Sequence, residues 1–143
     1  MISQQERMAH AATFSTWVKA LEADDVASYL DCFASQVECE DIALQAKATG
    51  KEELGNGIAK WLAILHHERV QMDLQLEGDG HTAVIWTVTI VVRDQIPGVL
   101  DRAKVGSRAI IHGASVFRFD DNSKFTWERS YWDLNELLRQ VRD

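Results

Sequence analysis

The stretch that decides the fold is SVFRFDDNSKFTWERSYW, residues 115–132. Two runs rich in aromatic and β-branched residues flank Asp120–Ser123, whose side chains favour a turn because they hydrogen-bond to their own backbone. The pattern predicts a long hairpin. Side chains alternate between the two faces of a strand, so Glu128 shares a face with Ser130 and Trp132. We therefore expect the Glu128 carboxylate to point inward. Burial would raise its pKa, and a raised pKa suits a carboxyl group that transfers protons near neutral pH.

Length and composition indicate one domain that covers residues 1–143. A chain of 143 residues with 46% hydrophobic residues can bury one sizeable core and is too short for two ordinary ones. The formal net charge of -7 and the scattered basic residues argue against a nucleic-acid partner. No segment approaches the length of an apolar membrane span, and the N-terminus lacks an apolar signal-like run. We expect no membrane association and a cytoplasmic location.

The cysteines and histidines give no metal signature. Cys32 and Cys39 lie seven residues apart without further cysteine partners, which argues against a disulfide framework and a zinc site. His66 and His67 are adjacent, so their side chains point in different directions. They suit stabilisation of a helix C-terminus better than chelation. We therefore expect neither a metal nor another cofactor.

The order of periodic segments predicts an α+β fold. Apolar residues spaced by three and four indicate helices, whereas alternating runs rich in Val, Ile, Thr and Trp indicate strands. Asp24 or Asp25 should cap the second helix, and Pro97 should lie in a mobile rim loop over 94–104. The predicted helices cover 4–22, from the cap to about 34, 51–66 and 134–140, and the predicted strands cover 36–41, 70–76, 81–93, 107–119 and 124–132.

Three groups of residues carry a resemblance to a known fold. They are WVKAL at 17–21 followed by Asp24-Asp25, Phe33-Ala34 and VECED at 37–41; Gly50 before the third helix; and the hairpin followed by YWDLNELLRQ at 131–140. This order resembles the nuclear transport factor two-like cone fold of ketosteroid isomerases, SnoaL-like polyketide cyclases, limonene epoxide hydrolases and scytalone dehydratase. The resemblance implies a cone-shaped α+β barrel in which three N-terminal helices cover a strongly bent antiparallel sheet.

The resemblance also implies roles for individual residues. In the isomerase branch, Asp41 stands at the position of the proton-shuttling base. Trp17 stands where the isomerases place an oxyanion-binding tyrosine, and Ser115 where they place a protonated aspartic acid; both can donate a hydrogen bond. Glu128 lies near the position where polyketide cyclases of this fold keep an acid or a base. Asp41 and Glu128 would then divide the base and acid roles between them.

Both carboxylates also have an ordinary structural interpretation. Asp41 follows Glu38 and Glu40, which would make it a solvated member of an acidic strand end. A one-residue shift of the strand register would send Glu128 to solvent beside Arg129. The sequence leaves both interpretations open.

Aromatic residues are expected to wall a cavity for a flat hydrophobic molecule, polycyclic or terpenoid. Large aromatics are more often core residues, but four of the five tryptophans come from elements that would surround one hollow, whereas Trp127 alternates outward. The expected substrate-binding residues are Trp17, Phe33, Trp61, Trp86, Ser115, Phe117, Ser130 and Trp132.

His112 is a further candidate base, because the pKa of histidine lies near neutrality. Simple alternation from Ser115 places His112 on the opposite face, where it would be a partly buried histidine at a sheet interface. A bulge at Gly113 would reverse that facing, since glycine in a strand often marks one.

The outer face of the sheet is expected to be apolar. Its predicted members are Val84, Val88, Val92, Val116 and Trp127. An apolar patch beyond a few hundred Å² usually marks an interface. We therefore expect a twofold homodimer that pairs through the sheets.

The leading functional hypothesis is a cofactor-independent enzyme of the SnoaL-like group. It would isomerise, cyclise or dehydrate a small hydrophobic carbonyl or hydroxyl compound. The alternative is a binding or accessory module of the same fold without chemistry. A third possibility, a purely structural dimerisation domain, predicts a collapsed cavity filled by Trp86, Phe117 and Trp132.

Overall fold

The computed structural model describes residues 2–142 and confirms the α+β class. Within those residues, no helix is long and apolar enough to cross a membrane. The helices are α1 (Gln4–Glu22), α2 (Val26–Asp31), α3 (Gly50–Ile64) and α4 (Leu134–Val141), and the strands are β1 (Phe33–Asp41), β2 (Ala46–Thr49), β3 (Leu65–Gly78), β4 (His81–Val92), β5 (Arg108–Phe119) and β6 (Phe125–Trp132). The sequence predicted every one of these elements except β2.

The strands form one sheet in the order β2-β1-β6-β5-β4-β3. All neighbours are antiparallel except β1 and β6, so the sheet is mixed rather than wholly antiparallel. The meander from β3 to β6 brings its last strand back beside β1 in the same direction. Alternation in the sequence is the same for both pairings, which is why it did not reveal the parallel one.

Two helix ends differ from the predicted ones because strand pairing competes with helix propensity. α2 ends at Asp31, earlier than expected, since Phe33 begins β1 and pairs with Phe125 of β6. α3 ends at Ile64, so His66 and His67 lie in β3 and not at a helix end. This second difference changes which histidine can reach the interior.

Four phenylalanines form a buried aromatic core between α1, β1 and the β5–β6 hairpin. They are Phe14, Phe33, Phe117 and Phe125, each at most 1% exposed. Their ring centroids lie between 4.3 and 5.3 Å apart in the contacting pairs. Each buried ring contributes about 1.5–3 kcal/mol of hydrophobic stabilisation. This core holds α1 on the inner face of the sheet and so fixes Trp17, three residues after Phe14.

The inner and outer faces of β4 separate cleanly. Its even-numbered residues are buried, so Val84, Val88 and Val92 share the inner face with Trp86, and their predicted outward orientation was wrong. The outer face exposes other apolar residues, including Ile85 at 40% and Ile110 at 49%.

α4 covers the edge of β5 where β6 has ended. The Gln140 side chain accepts a hydrogen bond from the Ile110 N–H and donates one to the Ile110 carbonyl, both at 2.8 Å. Glu136 likewise accepts from the backbone N–H of His112 at 2.7 Å. Side chains of the terminal helix thus replace a missing neighbouring strand.

Candidate functional site

The helices and the inner face of the sheet enclose a cavity of about 530 Å³. Most of its lining side chains are apolar, and its size lies within the range of about 300–1,000 Å³ typical of small-molecule sites. Side chains do not fill this cavity, which contradicts the collapsed interior expected of a purely structural domain. A smaller hollow of about 250 Å³ lies between residues 99–103 and α4 and contains none of the predicted site residues.

The cavity wall contains most of the predicted site residues. Phe33 and Phe117 are the exceptions among the aromatics, because they belong to the buried aromatic core. The predicted residues in the wall are Trp17, Asp41, Trp61, Trp86, Ser115, Glu128, Ser130 and Trp132.

Strand register brings the two carboxylates together. β1 runs parallel to β6, with Cys39 beside Glu128 and Asp41 beside Ser130. On the other side of β6, Ser130 pairs with Ser115 of β5. Asp41 and Glu128, far apart in the chain, therefore occupy adjacent positions on one inner face.

Glu128 is a buried carboxyl group with no cationic partner in the structure described for residues 2–142. It is 8% exposed. Burial raises its pKa to about 7; a hydrogen bond from Cys39 opposes the rise, the Asp41 charge adds to it, and Ser130 opposes it. Both protonation states are therefore populated near neutral pH, which suits a group that gives and takes a proton.

Asp41 is half-buried and is held by hydrogen bonds. The Trp132 indole N–H donates to both of its carboxylate oxygens, at 2.9 and 3.1 Å. The backbone N–H of Leu44 donates to Oδ1 at 2.9 Å. Trp132 thus holds the carboxylate at the cavity wall in addition to lining it.

A hydrogen-bonded chain leads across the inner face to Glu128. The Trp86 indole N–H donates to Ser115 Oγ at 3.0 Å, and the Ser115 and Ser130 hydroxyls lie 2.7 Å apart. Ser130 donates to Glu128 Oε2 at 3.4 Å. If each hydroxyl donates to the next group, all the donors point towards the carboxylate. The Ser115 hydroxyl is engaged in this chain.

Trp17 occupies the cavity wall with its indole N–H beside the Tyr29 hydroxyl. It is 5% exposed, and Nε1 makes no well-aligned hydrogen bond within the described chain. Burial, followed by the Glu128 charge, raises the pKa of Tyr29 well above its usual value, so the phenol stays protonated. Sequence reasoning did not single out Tyr29, because helical spacing from Val26 and Phe33 is also what an ordinary core residue shows.

Cys39 and His67 are polar cavity residues that the sequence analysis did not single out as site residues. Cys39 lies beside Glu128, and burial, together with the Glu128 charge, raises the pKa of its thiol. His67 enters the wall from β3, where burial lowers its pKa to about 4. The available signal for His67 was its alternation with the apolar Leu65, which indicates a strand rather than a helix end.

His112 faces outward, away from the cavity. Its Nδ1 lies 2.9 Å from Glu136 Oε2 of α4, and its side chain is 61% exposed. Gly113 makes no bulge: it pairs in register with Trp86 and Trp132. A Cβ at Gly113 would lie 2.5 Å from the Trp86 ring, so the glycine makes room for that indole.

The part of the chain that the structure describes contains no cluster of three or more His, Cys, Asp or Glu side chains that could hold a metal ion.

The sequence of residues 14–127 matches the family model of the SnoaL-like domain. The chain belongs to the SnoaL-like domain family. This assignment confirms the predicted relationship. No curated protein matches the SnoaL-like chain in sequence.

Solved structures confirm the cone fold of this SnoaL-like protein. A proposed polyketide cyclase from Xanthomonas campestris superposes with a TM-score of 0.78 at 17% identity, covering 95% of this chain and 98% of that one. A protein with a ketosteroid isomerase-like fold from Catenulispora acidiphila, in complex with trimethylamine, gives a TM-score of 0.75 at 18% identity, covering 90% of this chain and 91% of that one. An LEH-like epoxide hydrolase from M. tuberculosis gives 0.70 at 13% identity, covering 94% and 90%. At such identities the likeness concerns the fold alone.

Proposed function

We propose that this protein is a cofactor-independent enzyme that moves protons on a hydrophobic carbonyl or hydroxyl compound, in an isomerisation, cyclisation or dehydration. Asp41 acts as the base, and Glu128 as the acid or second base. The observation that carries the proposal is a buried Glu128 with a pKa of about 7, beside Asp41 in the wall of a 530 Å³ cavity. General acid–base catalysis is most effective when the pKa of the group lies near the working pH.

The charge of the site supports an uncharged substrate. Among the ion pairs of residues 2–142, none involves Asp41 or Glu128. An anionic group placed beside Asp41 and Glu128 would meet two carboxylates, which is unfavourable in a desolvated site. The cavity wall also contains Lys47 and Lys60, but neither forms an ion pair with these two carboxylates. Tryptophan and aliphatic side chains in the wall favour a hydrophobic body.

Trp17 keeps the role that the resemblance implies for it, as a donor to the substrate oxygen. Its indole lines the cavity, but Nε1 is enclosed beside the Tyr29 hydroxyl, so this role requires the indole to turn when the substrate binds. Ser115 was expected to share this role. Its hydroxyl is engaged by Trp86 and Ser130, so we assign it to the chain that positions Glu128.

The alternative is a non-catalytic module that binds a hydrophobic ligand in the same cavity. It is favoured by the state of the two expected donors: the Ser115 hydroxyl is engaged by Trp86 and Ser130, and Trp17 Nε1 is enclosed. Under this alternative, ligands bind without conversion and the two carboxylates serve only recognition.

We also propose that residues 1–143 act as one domain in the cytoplasm and as a twofold homodimer. Free Cys32 and Cys39 suit a reducing compartment.

The outer face of the sheet, which exposes Ile85, Ile110 and Tyr131, is the proposed dimer surface. Sedimentation at micromolar concentration should give twice the chain mass, and a monomer would remove the claim.

Proton exchange at carbon tests the proposed chemistry without knowledge of the final product. Hydrophobic cyclic ketones incubated with the protein in D₂O should gain deuterium next to the carbonyl, detected by NMR. Asp41→Asn should lower the exchange by about 10²–10⁴-fold, whereas Glu38→Gln, an exposed carboxylate of the same strand, should leave it unchanged. Binding of these ketones without any exchange would favour the non-catalytic alternative.

A further inference from the structure

The cavity contains a polar group that the proposed proton transfer does not use. His67 is 8% exposed and lines the cavity from β3. Neither of its ring nitrogens makes a hydrogen bond with any residue from 2 to 142, and Nδ1 is fully enclosed. Nε2 is therefore the ring nitrogen able to meet a ligand. Buried polar groups nearly always have a partner, so an unpartnered imidazole in a cavity wall indicates a place for a ligand atom.

The surroundings of His67 define the kind of ligand atom that fits. Burial lowers its pKa to about 4; Asp24 acts in the opposite direction, and His66 and Arg93 act in the same direction as burial. The ring is thus neutral at pH 7, with one N–H donor and one acceptor nitrogen. A hydroxyl group both donates and accepts, so it matches either tautomer. A charged group would be disfavoured at a position this strongly desolvated.

The strand register separates His67 from the carboxylates. His67 pairs with Ile90 of β4, whereas Glu128 lies in the cross-strand row of Phe117 and Thr82. Thr82 and Ile90 are eight residues apart on β4. The inner-face residues between the two rows that line the cavity are Ser115, Trp86, Val88, Ile111 and Val70.

The carboxylate end and the histidine end of one cavity are thus joined by a largely apolar wall. A ligand that satisfies only the carboxylates leaves the imidazole without a partner, at the cost of a buried unsatisfied group.

We propose that the cavity binds an elongated, uncharged molecule with two oxygen functions joined by a hydrophobic body, one at Asp41 and Glu128 and the other, a hydroxyl group, at His67. The inference rests on the proposed function for the reacting end and adds the second recognition point. His67 sets specificity for the distal hydroxyl and takes no part in the proton transfer.

Two phenols of the same shape test the proposal. Calorimetric titration of the full chain with 4,4′-dihydroxybiphenyl and with 4-hydroxybiphenyl should give about tenfold tighter binding of the diphenol, as expected for one added hydrogen bond to a buried partner. His67→Leu should reduce the ratio to about one, and His67→Gln, which keeps a donor and an acceptor, should retain part of it. His66→Leu is the matched control, because His66 lies next in the chain, beside Asp24, and outside the cavity wall.

Equal affinity for the two phenols in the unmodified protein, a preference that survives His67→Leu, or no binding of either phenol would overturn the proposal. These outcomes are independent of catalysis. A His67-dependent preference in a protein that exchanges no ketone protons would leave the ligand class standing and reject the proton chemistry. Ketone proton exchange in a protein that shows no His67-dependent preference for the diphenol would support the proton chemistry and reject the ligand class.

Discussion

Glu128 and Glu68 belong to the same bent sheet, yet their carboxyl groups have pKa values shifted in opposite directions. Glu68 is exposed on β3, and a hydrogen bond from Arg108, which lies 2.8 Å away, lowers its pKa. Glu128 points inward and forms no ion pair among residues 2–142, and burial raises its pKa to about 7. Both residues are glutamates in strands of one sheet, so the opposite pKa shifts come from the face on which each side chain lies.

Histidine gives the same lesson. His112, on the outer face, contacts Glu136 of α4. His67, on the inner face, is neutral at pH 7 because burial lowers its pKa to about 4. The chemistry of this molecule is therefore concentrated on one face of one sheet, and a comparison of inner and outer variants tests that statement.

The largest difference should appear in catalysis. Glu128→Gln and Asp41→Asn should each lower ketone proton exchange by about 10²–10⁴-fold, the usual contribution of a general acid or base. Glu68→Gln should leave the rate unchanged, because its carboxylate faces solvent and Arg108. Equal losses in inner and outer variants would show that the rate follows folding rather than the cavity.

The next effect is on the pH dependence of stability. Glu128 binds its proton more tightly in the folded state, so the free energy of unfolding should fall as pH rises from about 4.5 to about 7. This contribution is about 3 kcal/mol across that window, and Glu128→Gln should remove it.

His67 should contribute with the opposite sign. Its proton is bound more tightly in the unfolded state, so stability should rise as pH rises from about 4 to about 6.5, and His67→Leu should remove that rise. Urea unfolding at several pH values measures both slopes. If Glu128→Gln and His67→Leu changed the pH dependence of the unfolding free energy in the same direction, the two residues would not lie in environments of opposite effect.

A smaller effect is expected where the inner face is closely packed. Gly113→Ala should destabilise the protein by about 1–3 kcal/mol, because the new Cβ would lie 2.5 Å from the Trp86 ring. Gly78→Ala is the control, since an added Cβ there meets nothing within 4 Å. Thermal unfolding of both variants provides the comparison, and a neutral Gly113→Ala would mean that Trp86 can move freely.

The smallest effect concerns the hydroxyl that reaches Glu128. The hydrogen bond from Ser130 lowers the pKa of that carboxyl, so Ser130→Ala should raise it further. Ser35→Ala, an exposed position of β1, should leave it unchanged. Carboxyl ¹³C shifts followed against pH would detect the change, and a downward shift in the Ser130 variant would contradict the assigned hydrogen bond.

Alternation within the hairpin favoured an inward-pointing Glu128 but left a one-residue register shift open. The observed pairing of Glu128 with Phe117 places it inward, although the hairpin register shifts between Arg118 and Phe119. The resemblance supplied Asp41. Their proximity depends on the parallel pairing of β1 with β6, which no local pattern encodes. The sequence also suggested the tryptophans of the wall, although it did not separate cavity residues from the packed Phe33 and Phe117.

The residues that were missed depend on exact element ends and on contacts between distant segments. His67 was assigned to a helix end, but β3 begins at Leu65 and turns it inward. Tyr29 resembled a core residue, since helical spacing cannot distinguish a filled interior from a cavity. The Ser115 hydroxyl accepts a hydrogen bond from Trp86, which lies 29 residues earlier in the chain on the neighbouring strand β4.

The central claim is tested most directly by measuring the pKa of Glu128 itself, through ¹³C-labelled glutamate NMR with Glu128→Gln for assignment. The account predicts a value near 7 in the unmodified protein and a lower one in Asp41→Asn, where a neighbouring negative charge is removed. A value near 4.5, unaffected by Asp41→Asn, would show a solvated carboxylate and contradict the proposed site.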